Sequence, residues 1–264
     1  MILNSPSIST ISLFGFDIYF YGLILAFAVF SGFYVAYYLF KKYYNEIFAE
    51  KFFDFSPLLL IGGIFGARLY YCILNYEYYF IHPIEILNLR QGGLSIHGMM
   101  IFGAISLFAM AKYYKINFFK LIDTFCCALP LAQSIGRWGN FFNSEAFGLP
   151  TSDSILKLYI APNNRPIGFE NFDFFHPTFL YESIFDLLIF LILFNLFKYF
   201  SKTPGNICSL YLICYGFIRY WIEQLRIDSA LNIFNIPIAQ IMSILMIIVG
   251  IFIFYIINKK NYLQ

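Results

Sequence analysis

The residues best placed to do chemistry lie in one short segment, GRWGNFFNSEAFG at positions 136–148. The segment follows an apolar run, so Arg137 and Glu145 stand where a membrane helix is expected to end. An arginine at membrane depth costs about 2.5–3.5 kcal/mol on insertion scales. A bound anion is the leading candidate to offset that cost, because guanidinium groups make bidentate contacts that match phosphate oxygens.

A second group of polar residues closes a later apolar run. Tyr215, Arg219, Glu223 and Arg226 are spaced i, i+4, i+8 and i+11, which keeps them on one stripe of a helix. Arg219 and Glu223 are spaced to pair directly, and alone this pair is equally well explained as a structural ion pair. Two or three arginines at the level of lipid headgroups predict a phospholipid site.

The composition predicts the elements that must position these residues. The chain is 60% hydrophobic and only 12% charged, which is typical of polytopic membrane proteins. Seven apolar segments are long enough to span a bilayer: 18–40, 57–75, 94–113, 121–139, 178–200, 205–224 and 237–257. We therefore expect an all-α fold, with residues 1–264 as a single seven-helix membrane domain. The stretch 140–177 is predicted to form a small extracytoplasmic head or lid.

Basic residues predict the orientation. One set of loops and the C-terminal tail are rich in lysine: Lys41, Lys42, Lys51, Lys112, Lys115, Lys120, Lys198, Lys202, Lys259 and Lys260. The opposite loops hold fewer basic residues: Arg90, Lys157, Arg165 and Arg226. Because positive charge marks cytoplasmic loops, the N-terminus is predicted to lie outside and the C-terminus in the cytoplasm.

This topology brings polar residues from separate segments to the outer membrane face. They are Tyr21, Arg68, His97, Arg137, Asn140, His176, Arg219, Glu223 and Arg226. Each has a simpler explanation when taken alone. Tyr21 fits an aromatic belt, His97 a packing residue and His176 a cap on the fifth span. Arg68 is expected either to snorkel or to pair with Glu145 or Glu223. Their convergence favours a site.

Several segments of the chain resemble the prolipoprotein diacylglyceryl transferases of bacteria over essentially the whole length. The matching segments are FYGLILAF (20–27), GARLYY (66–71), GGLSIHGMMIFG (92–103), GRWGNFFNSEAFG (136–148), HPTFLYES (176–183) and YGFIRYWIEQLRIDS (215–229). Trp138 departs from the family, which usually has a smaller aliphatic residue there.

The resemblance implies a transferase of lipoprotein biosynthesis in the bacterial cytoplasmic (inner) membrane. Such an enzyme moves the diacylglyceryl group of phosphatidylglycerol onto the lipobox cysteine thiol of a preprolipoprotein signal peptide. A thioether forms and glycerol 1-phosphate leaves. The implied partners are these two substrates and the lipid bilayer, with no nucleic acid, metal or organic cofactor.

The family's functional residues carry over to positions in this chain. The catalytic set is His97, Arg137, Tyr215 and Arg219. The set that binds phosphatidylglycerol is Tyr21, Arg137, Asn140, Glu145, Gly148, Arg219, Glu223 and Arg226.

The chemistry expected of these residues starts from the thiol. Its unperturbed pKa is about 8.5, so a base or a positive field must raise the thiolate fraction. We expect His97 to assist proton removal, with Tyr215 as an alternative base or a helper. Arg137 and Arg219 are expected to hold the phosphate and to neutralise the charge on the leaving oxygen. The competing class is an anion transporter or channel that uses the same arginines, although no inverted repeat is evident in the sequence.

Overall fold

A computed structural model describes residues 1–6, 9–13, 16–89, 92–227, 232–233 and 236–262. Within these ranges the side chains of residues 13, 16, 47, 48, 96, 97, 232, 233 and 260–262 are not described. His97 belongs to this group, so the position of its imidazole lies outside the described part of the chain.

The described chain is mainly helical. Its α-helices are α1 (Phe20–Tyr43), α2 (Glu46–Leu74), α3 (Tyr76–Ile81), α4 (Ile96–Tyr113), α5 (Phe118–Phe142), α6 (Thr178–Phe200), α7 (Asn206–Glu223) and α8 (Ile238–Tyr262). Each of the seven predicted spans coincides with one long helix. The predicted start of the second span, at residue 57, is wrong. Because the first turns of α2 carry Glu46, Glu50, Lys51 and Asp54, apolar patterning does not detect them.

Five of these helices, within the described residues, are long and apolar enough to cross a membrane. They are Phe20–Tyr43, Ala49–Leu74, Phe118–Phe142, Thr178–Phe200 and Ile238–Lys259. A shorter apolar helix covers Gly98–Tyr113. The chain is therefore a polytopic membrane protein, and the full count of seven spans stays a prediction.

The predominance of helix expected from the sequence is confirmed, and short strands that were not predicted accompany the helices. They are β1 (Ile2–Asn4), β2 (Thr10–Leu13), β3 (Phe16–Tyr19), β4 (Lys157–Tyr159), β5 (Phe174–Phe175), β6 (Asn232–Ile233) and β7 (Ile236–Pro237). Strand β4 pairs in parallel with β1 and antiparallel with β5, and β2–β3 and β6–β7 form antiparallel pairs. The pairing of β1 with β4 joins distant parts of the chain, which local sequence patterns do not reveal.

The described chain divides into two compact units. The first comprises residues 1–36 and 123–264, and the second comprises residues 37–122.

In the first unit, the segment that follows α5 packs around its own apolar core. Phe147, Leu158, Ile160, Phe175 and Phe179 are all buried there. This core joins the sheet β1–β4–β5 to the first turn of α6. The stretch after α5 therefore packs together with the N-terminal strand and the start of α6. The head or lid predicted for 140–177 stays a prediction.

The start of α7 is held by a buried carboxylate in α5. Asp123 accepts hydrogen bonds from the backbone N–H groups of Gly205, at 2.7 Å, and Cys208, at 2.8 Å. The first N–H groups of a helix lack partners within the helix, so this carboxylate acts as its N-terminal cap. The contact fixes α7, which carries Arg219 and Glu223, against α5, which carries Arg137.

In the second unit, α2 and α4 pack backbone to backbone. A Cβ atom added at Gly62 would collide with the Ser106 hydroxyl, and one added at Gly66 would collide with the Phe102 ring. Gly62 and Gly66, four residues apart, therefore allow the close approach of the two helices.

Candidate active site

A single buried carboxylate gathers three arginines in the first unit. Arg219 Nη1 lies 2.6 Å from Glu182 Oε1, and Arg226 Nη1 lies 3.0 Å from the same oxygen. Arg137 Nη2 forms an ion pair with the other oxygen, Oε2. The side chain of Glu182 is only 4% exposed. Together with Glu223, these residues form what we call the Glu182 cluster.

Helix α7 contributes Arg219 and Glu223 to the cluster. Arg219 Nη2 contacts Glu223 Oε2 at 2.5 Å, which confirms the pairing expected from the i, i+4 spacing. Helix α7 ends at Glu223, so Arg226 does not continue the helical stripe as predicted. A turn closed by the Arg226 N–H and the Glu223 carbonyl, at 3.2 Å, still returns the Arg226 guanidinium to Glu182.

Helix α5 contributes Arg137 to the cluster. It continues to Phe142, so Arg137 and Asn140, three residues apart, share a helical face. One face of Gly139 is covered by the Tyr21 ring, since an added Cβ would lie 2.8 Å from Tyr21 Cδ2. The Asn140 amide donates a hydrogen bond to Glu145 Oε1 at 2.8 Å. Tyr21, Asn140 and Glu145 therefore lie together at the end of α5.

The turn after α5 has an unusual backbone. Ser144 and Ala146, on either side of Glu145, have φ values of 54° and 56°, a region that residues other than glycine rarely adopt. The Ala146 carbonyl accepts a hydrogen bond from Thr178 Oγ1 at 2.7 Å. This contact ties the turn to the start of α6 and helps to hold the left-handed backbone in place.

Gly148 fills a tight junction between three segments. Its N–H donates to the His176 carbonyl at 2.8 Å, and its backbone forms a β-bridge with Arg226. An added Cβ would lie 2.6 Å from the Leu225 carbonyl oxygen and 2.8 Å from Thr178 Cγ2. Gly148 thus positions the segment that carries Arg226.

Two further side chains lie within electrostatic reach of Arg137: Tyr215 and Asp186. The Tyr215 ring stacks on Tyr211, with ring centroids 5.6 Å apart. Asp186 lies one helical turn after Glu182 and is 1% exposed, and its Oδ2 atom has no hydrogen-bond partner among the described residues.

The remaining candidates are His97, His176 and Arg68. His97 is the second residue of α4, in the second unit. His176 does not cap the fifth span as suggested. The N-cap of α6 is Pro177, and His176 Nδ1 instead lies 3.3 Å from the Tyr181 hydroxyl. Arg68 pairs with neither Glu145 nor Glu223, since its guanidinium donates to backbone carbonyls of the second unit.

Sequence reasoning did not single out Glu182, although the segment that contains it was recognised. A signal was present, because Glu182 and Asp186 are two acids, four residues apart, in the apolar span 178–200. Ionisable residues inside a span usually pair with one another. The acids of α6 were the natural partners for arginines from other helices.

In the described part of the chain, no group of three or more His, Cys, Asp or Glu side chains is arranged to hold a metal ion. The carboxylates of the Glu182 cluster face guanidinium groups instead. What the arrangement offers chemically is a concentration of N–H donors of the kind that binds oxyanions.

Comparisons with known proteins show the family of the chain. The model of the prolipoprotein diacylglyceryl transferase family matches residues 9–256. A phosphatidylglycerol–prolipoprotein diacylglyceryl transferase of a Synechocystis species is 41% identical over 94% of this chain and 88% of its own length. The enzymes of the same name from Prochlorococcus marinus and Trichormus variabilis are 38% and 40% identical. They cover 99% and 95% of this chain, and 95% and 89% of their own lengths. The chain belongs to the prolipoprotein diacylglyceryl transferase family.

Proposed function

We propose that this protein transfers the diacylglyceryl group of phosphatidylglycerol to the lipobox cysteine thiol of preprolipoproteins. The observation that carries the proposal is the gathering of Arg137, Arg219 and Arg226 on the buried carboxylate of Glu182. The relatives named above act, by their names, on phosphatidylglycerol and prolipoproteins. Their identity to this chain over nearly its full length supports the same reaction here.

The cluster suits a phosphate ester for reasons of charge and shape. Its ion pairs join three guanidinium groups to two carboxylates. A guanidinium carries five N–H donors in a planar fork, so one arginine can contact a carboxylate and a phosphate together. We assign phosphate binding to Arg137, Arg219 and Arg226. Glu182 and Glu223 hold these side chains in position.

In the proposed reaction, the thiol sulfur bonds to the glyceryl carbon while the bond from that carbon to the phosphate oxygen breaks. Glycerol 1-phosphate leaves as an anion, and the arginines neutralise the charge that develops on its oxygen. The thiol proton passes to a base, for which we propose His97 or, alternatively, Tyr215. The family resemblance supports His97. Tyr215 is supported by its place within electrostatic reach of Arg137 and Glu182.

Lipid contacts are assigned to the end of α5 and to the residues beside it. We propose that Tyr21, Asn140 and Glu145 bind the headgroup, because they lie together there. Gly148 is assigned to the same site through the bridge that it makes with Arg226.

We further propose that the site faces the outer side of the bacterial inner membrane and that the stretch 140–177 holds the peptide there. Support for the orientation comes from the lysines in the last turns of α1, α4 and α6. Their positions fit cytoplasmic helix ends, which leaves the N-terminus outside.

The test is a reconstituted reaction. Purified protein is incubated with phosphatidylglycerol and a synthetic lipobox peptide, and the peptide is followed by mass spectrometry. We expect the mass of one diacylglyceryl group on the cysteine, and no addition to a peptide with serine at that position. An unmodified peptide, or anion flux across vesicles without an adduct, would refute the proposal.

A further inference from the structure

Arg68 in α2 gives all of its side-chain N–H groups to backbone oxygens. Its acceptors are the carbonyls of Glu85, Ile86, Asn88, Gly92 and Gly93, at 2.6–3.1 Å. A guanidinium has five N–H donors, so this single side chain satisfies five carbonyls of one loop. The ring of Tyr79 also lies against it, with the centroid 5.1 Å from Cζ.

The Arg68 side chain is only 5% exposed, and no carboxylate shares its hydrogen bonds among the described contacts. The residues that supply the five carbonyls are themselves partly or fully exposed. Removing the guanidinium would take away the donor of all five carbonyls at once, which costs free energy even where water can replace some of these bonds. The loop therefore depends on Arg68 for its conformation.

The loop leads directly into α4. Gly93 has φ of +70°, and an added Cβ would collide with Arg68 Nη1 and lie 2.8 Å from Tyr71 Cε1. Two residues later, the Ser95 N–H donates to the Ala67 carbonyl at 3.0 Å, and Ser95 is the N-cap of α4. The next turn is equally close to α2, because an added Cβ at Gly98 would collide with the Gly66 carbonyl.

From these contacts we infer that Arg68 is a positioning residue for the first turn of α4, and through it for His97. Arg68 and Ala67 hold the chain at two points just before the helix start, at Gly93 and at Ser95. His97 lies two residues after Ser95. The inference rests on the proposed function, in which His97 takes part in the reaction. In this account Arg68 itself touches neither substrate.

The test compares substitutions of Arg68 in the peptide-modification assay. R68A should lower kcat by about 100-fold, since a misplacement of about 1 Å can cost that much. KM for phosphatidylglycerol should stay unchanged. R68K keeps the positive charge but lacks the planar fork of N–H donors. Its kcat should fall less than that of R68A. Millimolar methylguanidinium should restore part of the kcat of R68A and none of that of H97A, because only R68A leaves a cavity shaped for a guanidinium.

A glycine pair provides the matched control. Gly92 and Gly93 both have positive φ, at +78° and +70°, so alanine strains the backbone similarly at both. An added Cβ meets nothing within 4 Å at Gly92, whereas at Gly93 it meets Arg68. G93A should therefore mimic the loss of kcat in R68A, and G92A should stay nearer to wild type.

Hydrogen exchange separates the positioning inference from the proposed function. Amides 92–99 should exchange faster in R68A and in G93A than in wild type, and methylguanidinium should slow them in R68A. This readout does not depend on activity. Unchanged exchange in R68A, or a wild-type kcat in R68A, would overturn the inference. If wild-type protein forms no adduct while the exchange result holds, the proposed function fails and the effect of Arg68 on the start of α4 stands.

Discussion

Two buried arginine settings in this chain differ in what accepts their N–H groups. In the Glu182 cluster the acceptors are carboxylates, and at Arg68 they are backbone carbonyls. A carboxylate resembles a phosphate in charge and geometry, so guanidinium groups that contact one can also contact the other. A carbonyl belongs to the backbone and stays in place. The first setting therefore suits the binding of an anion, and the second suits the fixing of a loop.

The two arginine settings also differ in the number of chain segments that they join. The Glu182 cluster joins α5, α6, α7 and the residues just after α7. The hydrogen bonds of Arg68 join α2 to the single segment between α3 and α4. Burying charged residues from three helices is costly, so the cluster is better explained by function than by stability. Substitutions in and around the Glu182 cluster test what this difference implies.

The largest effect is expected at Arg137. R137Q removes a guanidinium that we assign to the phosphate, and it should lower the rate of adduct formation by about 10²–10³-fold, as for loss of one preorganised donor. The rate is measured by mass spectrometry of the peptide. K202Q is the control, because Lys202 is an exposed lysine and its loss changes the net charge equally. A rate for R137Q close to that of K202Q would remove Arg137 from the site.

Next in size is the stability effect at Glu182. E182Q removes the charge shared by three arginines, so it should lower the free energy of unfolding by about 3–5 kcal/mol, as when one partner of a buried ion pair is lost. E223Q affects the pair with Arg219 and should cost less. Unfolding in mixed micelles with increasing SDS measures both variants. Equal losses in the two would show that Glu182 is not the centre of the cluster.

A smaller effect is expected at Gly148. G148A places a methyl group against the Leu225 carbonyl and Thr178, and overpacking of this kind typically costs about 1–3 kcal/mol. The shift should displace Arg226 and lower the transfer rate as well as the stability. Gly136, in the same segment, is the control, because an added Cβ there meets nothing within 4 Å. If G136A and G148A behave alike, the junction at Gly148 does not position Arg226.

The smallest effect is expected at Gly168, outside both arginine settings. Its φ of +88° makes alanine unfavourable by about 1–2 kcal/mol, and an added Cβ meets nothing within 4 Å. G168A should lower the melting temperature slightly and leave the transfer rate unchanged. A clear loss of rate would show that the chemistry depends on the fine structure of the stretch 140–177.

Much of this architecture could be predicted from the sequence, because apolar runs report membrane helices directly. The spacing of Arg219 and Glu223 also predicted their pairing, since both lie on one helix. Contacts between residues on different helices were harder to predict. The gathering of Arg137 and Arg219 was expected, but the carboxylate between them was not identified, because Glu182 belongs to a third helix with its own apolar pattern.

The hydrogen-bond partners of Arg68 could not be predicted from the sequence. A side chain that donates to backbone carbonyls leaves no complementary residue type to find, so the sequence offered only snorkelling or an ion pair. The paired strands β1 and β4 were missed for a related reason. They are three residues each and lie far apart in the chain, and their pairing depends on the tertiary fold.

The central claim is that the Glu182 cluster binds the phosphate of phosphatidylglycerol. The most direct measurement is native mass spectrometry of protein from nanodiscs that contain phosphatidylglycerol and diacylglycerol, comparing wild type with the double variant R137Q/R219Q. The account predicts that wild type retains phosphatidylglycerol in preference to diacylglycerol and that the double variant loses this preference. Equal retention of phosphatidylglycerol by both proteins would contradict it.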